Sequence, residues 1–115
     1  MAQPVKIVEK PWGREIWIAH TDIYALKIIE FNKGCRSSLQ YHNIKSEHIY
    51  VDAGLVKAEE EQDGELVTTI YKLGEVIINP SGKKHRIEAL EDSRIIEVST
   101  PELDDVVRVE DDFGR

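Results

Sequence analysis

The sequence predicts an all-β domain, a sandwich or small barrel of antiparallel strands. Three observations predict it. Short β-type runs recur about every eight to twelve residues, Gly, Pro, Asn and Asp punctuate them, and no stretch carries the sustained apolar period of a long amphipathic helix.

The elements follow in order. Arg14–His20 carries Ile16, Trp17 and Ile18 up to a Thr21-Asp22 turn, and Tyr24–Phe31 carries Leu26, Ile28 and Ile29 up to Asn32-Lys-Gly34. Ser37–His42 and His48–Val51 come next, joined by a polar loop, and Asp52-Ala-Gly54 turns the chain into Leu55–Glu60. Asp63-Gly64 then leads into Leu66–Tyr71. That dipeptide is a hairpin cue, because both residues tolerate positive φ. Val76–Ile78 runs into Pro80-Ser-Gly82, Lys84–Ala89 into Glu91-Asp-Ser93, and Arg94–Val98 closes the series. Glu102 to Asp105 has room for one helical turn at most. Glu59 to Glu61 reads as a solvated hairpin tip and Lys83-Lys84 as an exposed turn. Trp12 and Trp17 read as packing residues.

The chain has 115 residues, enough for one core, and reads as a single domain over 1–115. No apolar run approaches the roughly 18 residues of a membrane span, and the start lacks the apolar segment of a secretory signal. Both point to a cytoplasmic protein that does not engage membranes. Cys35 is the lone cysteine, which excludes an intrachain disulfide and a cysteine metal cluster. A formal net charge of −7 argues against nucleic acid, whose affinity rests on cations that neutralise phosphates. The acidity is concentrated near the end, whereas Lys83, Lys84 and Arg86 bracket His85 and provide a local basic mouth for a small anion.

Two stretches hold the metal-capable side chains. Gln40 and His42 are two apart on one run and therefore project to the same face. Glu47 begins the next strand beyond a short loop, which folds it back beside His42, and His85 opens another strand after Pro80-Ser-Gly82. Imidazole nitrogen with carboxylate and amide oxygen is a borderline-hard donor set that suits Zn, Mn, Fe, Co or Ni better than Cu(I). The arrangement predicts one divalent ion with positions left for water or substrate.

The spacing of these stretches resembles the two-part signature of the cupin superfamily. Residues 34–54 follow its first part, with Gln40 where a first His is usual. Residues 74–89 follow the second, with Ala89 in place of a final Asn. Within that superfamily the chain resembles the type II mannose-6-phosphate isomerase domain, which also occurs at the C-terminus of bifunctional mannose-1-phosphate guanylyltransferases. The resemblance is carried by Lys10-Pro-Trp-Gly13, Ser38-Leu-Gln-Tyr-His42, Ser46-Glu-His48, Asn79-Pro-Ser-Gly-Lys-Lys-His-Arg86, Glu97-Val98 and the closing stretch 104–115.

The resemblance implies a cupin (double-stranded β-helix, or jelly-roll) barrel of two antiparallel sheets and a homodimer. It implies one divalent metal on Gln40, His42, Glu47 and His85, and a sugar or sugar phosphate as partner. The reaction it implies is aldose–ketose isomerisation. Arg108, Glu110 and Lys45 carry over as catalytic candidates, with Glu47 or Glu110 as the base and Arg108 as the active-site cation. Lys84 and Arg86 carry over as anion-binding candidates. The chain departs from that family's pattern at Ile49, where Trp is usual, at Lys45, where Arg is usual, and at a shortened stretch around Ser99-Thr-Pro101. These departures surround the pocket and keep two rivals open: a non-catalytic sugar-binding cupin, and a metal-dependent cupin oxygenase.

Overall fold

The computed structural model describes residues 4–114. Alternation of inward apolar and outward polar residues becomes eleven strands: β1 (Lys6–Lys10), β2 (Gly13–His20), β3 (Ala25–Phe31), β4 (Leu39–Tyr41), β5 (Glu47–Ala53), β6 (Leu55–Gln62), β7 (Glu65–Lys72), β8 (Val76–Asn79), β9 (His85–Ala89), β10 (Ser93–Ser99) and β11 (Val107–Glu110). They pair antiparallel into a six-stranded sheet, β1-β2-β3-β10-β5-β8, and a five-stranded sheet, β11-β4-β9-β6-β7. This is the two-sheet barrel expected from the sequence. Among the described residues no helix is long and apolar enough to cross a membrane.

Asp63 and Gly64 take positive φ, 52° and 81°, and join β6 to β7 as a two-residue hairpin. Gly54, at φ 88°, turns β5 into β6 against Asp92 and Ser93. An added Cβ would lie 2.5 Å from the Asp92 carbonyl oxygen, so both backbone angle and space demand glycine.

The inner face of the six-stranded sheet is graded along the barrel. Ile29, Ile95 and Val51 are cross-strand neighbours on β3, β10 and β5, and all are buried. With Val56, Ile87 and the Trp12–Phe31 stack (centroids 4.1 Å apart) they form the apolar core. Each such side chain contributes about 1.5–3 kcal/mol by leaving water. One step along the strands the row becomes Lys27, Glu97 and Ile49, and the next is Ala25, Ser99, Glu47 and Asn79. Polar groups therefore replace apolar ones toward one end of the interior.

The structure corrects the sequence reading in several places. The terminal strands β1 and β11 are not among the strands read from the sequence, whereas Glu102 to Asp105 forms a single hydrogen-bonded turn, within the one turn allowed there. Glu60 is no part of a solvated tip. It is buried, accepts a 2.6 Å hydrogen bond from the Tyr71 hydroxyl, and pairs at 2.6 Å with Lys83, which is therefore not in a free turn. Glu60 faces inward because it is in register with His85, whereas Glu59 and Glu61 alternate away. Arg115, the last residue of the closing stretch, lies outside the described residues.

Candidate metal centre

Two inward rows face each other at the polar end. On the six-stranded sheet the row is Ser99, Glu47 and Asn79; on the five-stranded sheet it is Arg108, Gln40, His85 and Glu60. His42 lies just beyond β4. The result brings His42, Glu47 and His85 together, all buried, with one donor atom from each lying within 4.8 Å of the others.

Local geometry orients each donor. The Nδ1 of His85 is 2.9 Å from the Lys83 carbonyl, and the Nδ1 of His42 meets the Asp105 carbonyl. A carbonyl only accepts, so each Nδ1 carries the proton and each Nε2 presents a lone pair. Those two Nε2 atoms are buried without a hydrogen-bond partner and point at Glu47, 3.6 Å and 3.5 Å from its oxygens. Burial pushes the His85 imidazole below its ordinary value, against the pull of Glu47, which keeps it neutral. Unpaired buried acceptors are costly in an ordinary core, so the donor set fits a bound cation. Asn79 donates at 3.0 Å to Glu47 Oε2, the oxygen that faces His85, and fixes the carboxylate.

Gln40 lines the same cavity, in register with His85, and its Oε1 accepts from the Ser38 hydroxyl at 2.6 Å. Lys45 is buried between two carboxylates, its Nζ 3.0 Å from Glu47 and 3.2 Å from Glu97. Burial opposes the Lys45 charge, but Glu97 and Glu47 outweigh it and raise its pKa. Burial likewise opposes ionisation of Glu47, yet the Lys45 ammonium, helped by the Asn79 hydrogen bond, holds it at about 2. Glu97 behaves oppositely. Complete burial, with Glu47 adding repulsion, pushes it up to about 7.

The cavity measures about 350 Å³ and reaches from the histidines past Ile49 and Ile95 to Trp17, Lys27 and Glu15. Trp17 Nε1 and Lys27 Nζ both donate to Glu15, at 2.9 Å and 3.1 Å, and Trp17 also lies under two ammonium groups, those of Lys6 and Lys27. Its faces are engaged in packing, as expected.

The other candidates divide. Arg108 lines the cavity. Lys84 and Arg86 are not among the cavity-lining residues. Arg86 instead donates to the carbonyls of Ser37 and Glu110 and, with Arg36, ties down the closing stretch through Asp112. Glu110 is exposed and faces Arg86 at 3.6 Å. His48 is exposed, alternating away from Glu47.

Sequence reasoning missed three contributors: Glu97 as a cavity carboxylate, the Glu15–Lys27 pair, and Asp105. The Asp105 carboxylate receives the N–H groups of Asn43, Ile44 and Lys45, and so shapes the loop between His42 and Glu47. Alternation around Ile95 was the available signal for Glu97. Nothing local in the sequence announces Asp105.

The family model described as mannose-6-phosphate isomerase C-terminal matches residues 2–111. A mannose-1-phosphate guanylyltransferase of Escherichia coli (strain K12) is 34% identical over 113 residues, a match that takes in 94% of this chain and 23% of that protein. The chain thus spans about a quarter of that relative. Among solved structures, KdgF from Halomonas sp. superposes with a TM-score of 0.75 at 24% identity, covering 89% of this chain and 91% of that one. CapF of Staphylococcus aureus, a capsular polysaccharide assembling protein, gives 0.76 at 19%, covering 95% and 35%. Oxalate decarboxylase from Bacillus subtilis gives 0.78 at 16%, covering 91% and 30%. At these identities the structural likenesses establish the fold. The family match, running through both halves of the His42–Glu47–His85 cluster, establishes more: the chain belongs to the mannose-6-phosphate isomerase C-terminal family, built on a cupin barrel.

Proposed function

We propose that this chain is a metal-dependent cupin that isomerises a sugar phosphate, converting an aldose phosphate of the mannose 6-phosphate type into its ketose. The observation that carries the reading is the convergence of two orphaned imidazole nitrogens, of His42 and His85, on the Glu47 carboxylate at a cavity large enough for a sugar. Gln40 is the fourth ligand in this reading, through the acceptor capacity its Oε1 retains beside Ser38. When bound, a divalent ion of the Zn, Mn, Fe, Co or Ni group polarises the oxygens on C1 and C2. Bacillus subtilis oxalate decarboxylase, on the same fold, carries Mn(II) centres.

Glu97 moves the proton. It is the buried cavity carboxylate whose protonation changes near neutrality, whereas Glu47 stays ionised among its partners and Glu110 faces away. Glu97 takes the proton from C2 and returns it to C1, while the O2 hydroxyl proton passes to O1 and the carbonyl moves from C1 to C2, so the carboxylate is regenerated each turnover. Lys45 holds Glu97 in place at 3.2 Å. The apolar wall of Ile49, Ile87 and Ile95 keeps water from the reacting carbons.

The second reading is a sugar-phosphate-binding cupin without turnover. The Lys45–Glu97 ion pair favours it, because an ammonium on the carboxylate lowers its basicity. Incubating mannose 6-phosphate with protein loaded in turn with each metal decides between them. Appearance of fructose 6-phosphate, lost in Glu97→Gln by about 10²-fold or more, supports isomerisation. Ligand-induced thermal stabilisation with no product under any metal supports binding alone.

The reading includes a homodimer. Tyr50, Val76, Ile78 and Val98 are exposed together on the outer face of the six-stranded sheet, adjacent in register across β8, β5 and β10. A monomeric mass in light scattering removes this part.

A further inference from the structure

Four cationic side chains line the cavity, and they are not equivalent. Lys27 is neutralised by Glu15, and Lys45 by Glu47 and Glu97. The side chains of Lys10 and Arg108 have no hydrogen bond or ion pair among the described residues; Lys10 interacts electrostatically with Glu15, which is already bonded to Lys27 and Trp17. Lys10 ends β1 and Arg108 sits on β11, the first and last strands of the fold. These are the terminal strands of their two sheets, each at one sheet's edge. On the opposite side β5 touches β7, which brings the sheets together there. The two unpaired cations therefore stand on the walls of one cavity, at the margins of two different sheets.

We propose that Lys10 and Arg108 form an anion cleft that grips the phosphate monoester of the ligand while its sugar end lies over the His42–Glu47–His85 cluster. The inference rests on the sugar-phosphate reading above and names the residues that select the phosphorylated form. Arg108 supplies a planar fork suited to a phosphate, and Lys10 a mobile point charge from the other wall. Low-dielectric walls strengthen both. The register also fits. Arg108 pairs with Gln40 and Gln40 with His85, so Arg108 stands one strand spacing from Gln40 and two, about 10 Å, from His85. A hexose 6-phosphate bridges that span. Asp104, an exposed carboxylate that also lines the cavity, can accept hydrogen bonds from sugar hydroxyls.

Calorimetric titration of metal-loaded protein with mannose 6-phosphate, mannose and inorganic phosphate tests the cleft. Wild type is expected to bind the phosphosugar at least tenfold more tightly than mannose. Lys10→Met and Arg108→Met each weaken phosphosugar binding about tenfold and leave mannose unchanged, and the double variant loses the preference. Lys72→Met, an exposed cation on β7, changes nothing. Phosphosugar binding that is absent, or indifferent to both substitutions, overturns the cleft. A protein that binds phosphosugar and inorganic phosphate through Lys10 and Arg108 but isomerises nothing keeps the cleft and loses the proposed reaction.

Discussion

The imidazole rings of His42 and His85 lie 5.2 Å apart, tilted by 43°, and each is held by a backbone carbonyl at Nδ1. The two carbonyls, from Asp105 and Lys83, belong to segments far apart in sequence, so the lone pairs are aimed before any ion arrives. Such aiming lowers the reorganisation that binding requires. Purified wild-type protein is expected to retain a divalent metal that the His42→Ala, His85→Ala double variant lacks. Added metal at a hundredfold excess over its dissociation constant is expected to raise wild-type stability by about 2.7 kcal/mol and leave the variant unmoved. Equal metal content in the two proteins would remove the centre.

Lys45 is the second hinge of the site. Its ammonium is shared by two buried carboxylates, and its removal leaves negative charge without compensation. Lys45→Met is expected to destabilise the metal-free fold by about 3–5 kcal/mol, read as a lowered urea midpoint. Lys45→Arg restores part of the loss, since charge returns but the longer planar head fits the space poorly. A Met variant as stable as wild type would mean the pair is not maintained in solution.

Glu97 and Glu47 drive pH dependence in opposite directions. The folded-state value of Glu97 is raised from 4.5 to about 7, so between those values the folded protein holds a proton the unfolded chain has released. Stability from this group is complete below about pH 4.5 and is lost as pH rises through about 7. Glu47 is lowered to about 2, so its contribution is present above 4.5 and is lost as pH falls toward 2. Urea midpoints of metal-free Glu97→Gln are expected to lose the downward slope between 4.5 and 7 that wild type shows, a difference on the order of 1–3 kcal/mol. Identical slopes would place the Glu97 proton elsewhere.

Much of this site was legible because its spacing is local. Gln40 and His42 share a face by strand alternation, and Gly54 and Gly82 sit where the chain must turn. The strands missed, β1 and β11, are short and largely exposed, with charged residues that mask alternation; pairing with β2 and β4 makes them strands. Glu60 and Glu97 were opaque for a different reason. A carboxylate on an inward position is chemically indistinguishable in sequence from one on the surface until its partner is known, and Lys83 and Lys45 lie 23 and 52 residues away.

Asp105 shows the same limit at its sharpest and yields the last prediction. Its carboxylate is held below the ordinary range by three backbone N–H groups, those of Lys45, Ile44 and Asn43, while its own carbonyl orients His42. One residue thus shapes the loop between two candidate ligands, His42 and Glu47, and sets the tautomer of one. Asp105→Ala keeps the carbonyl but frees the loop, so the ligands remain and their preorganisation is lost. Metal affinity, measured by competition with a chromophoric chelator, is expected to fall about 10- to 100-fold. Nitrogen chemical shifts of His42 in metal-free protein are expected to change from a single tautomer to a mixture, because the segment carrying the Asp105 carbonyl is no longer pinned. A structural residue remote from the ligands leaves those shifts alone, so the tautomer readout separates positioning from general destabilisation. Unchanged affinity with an unchanged His42 signal would show that the loop holds its shape without Asp105.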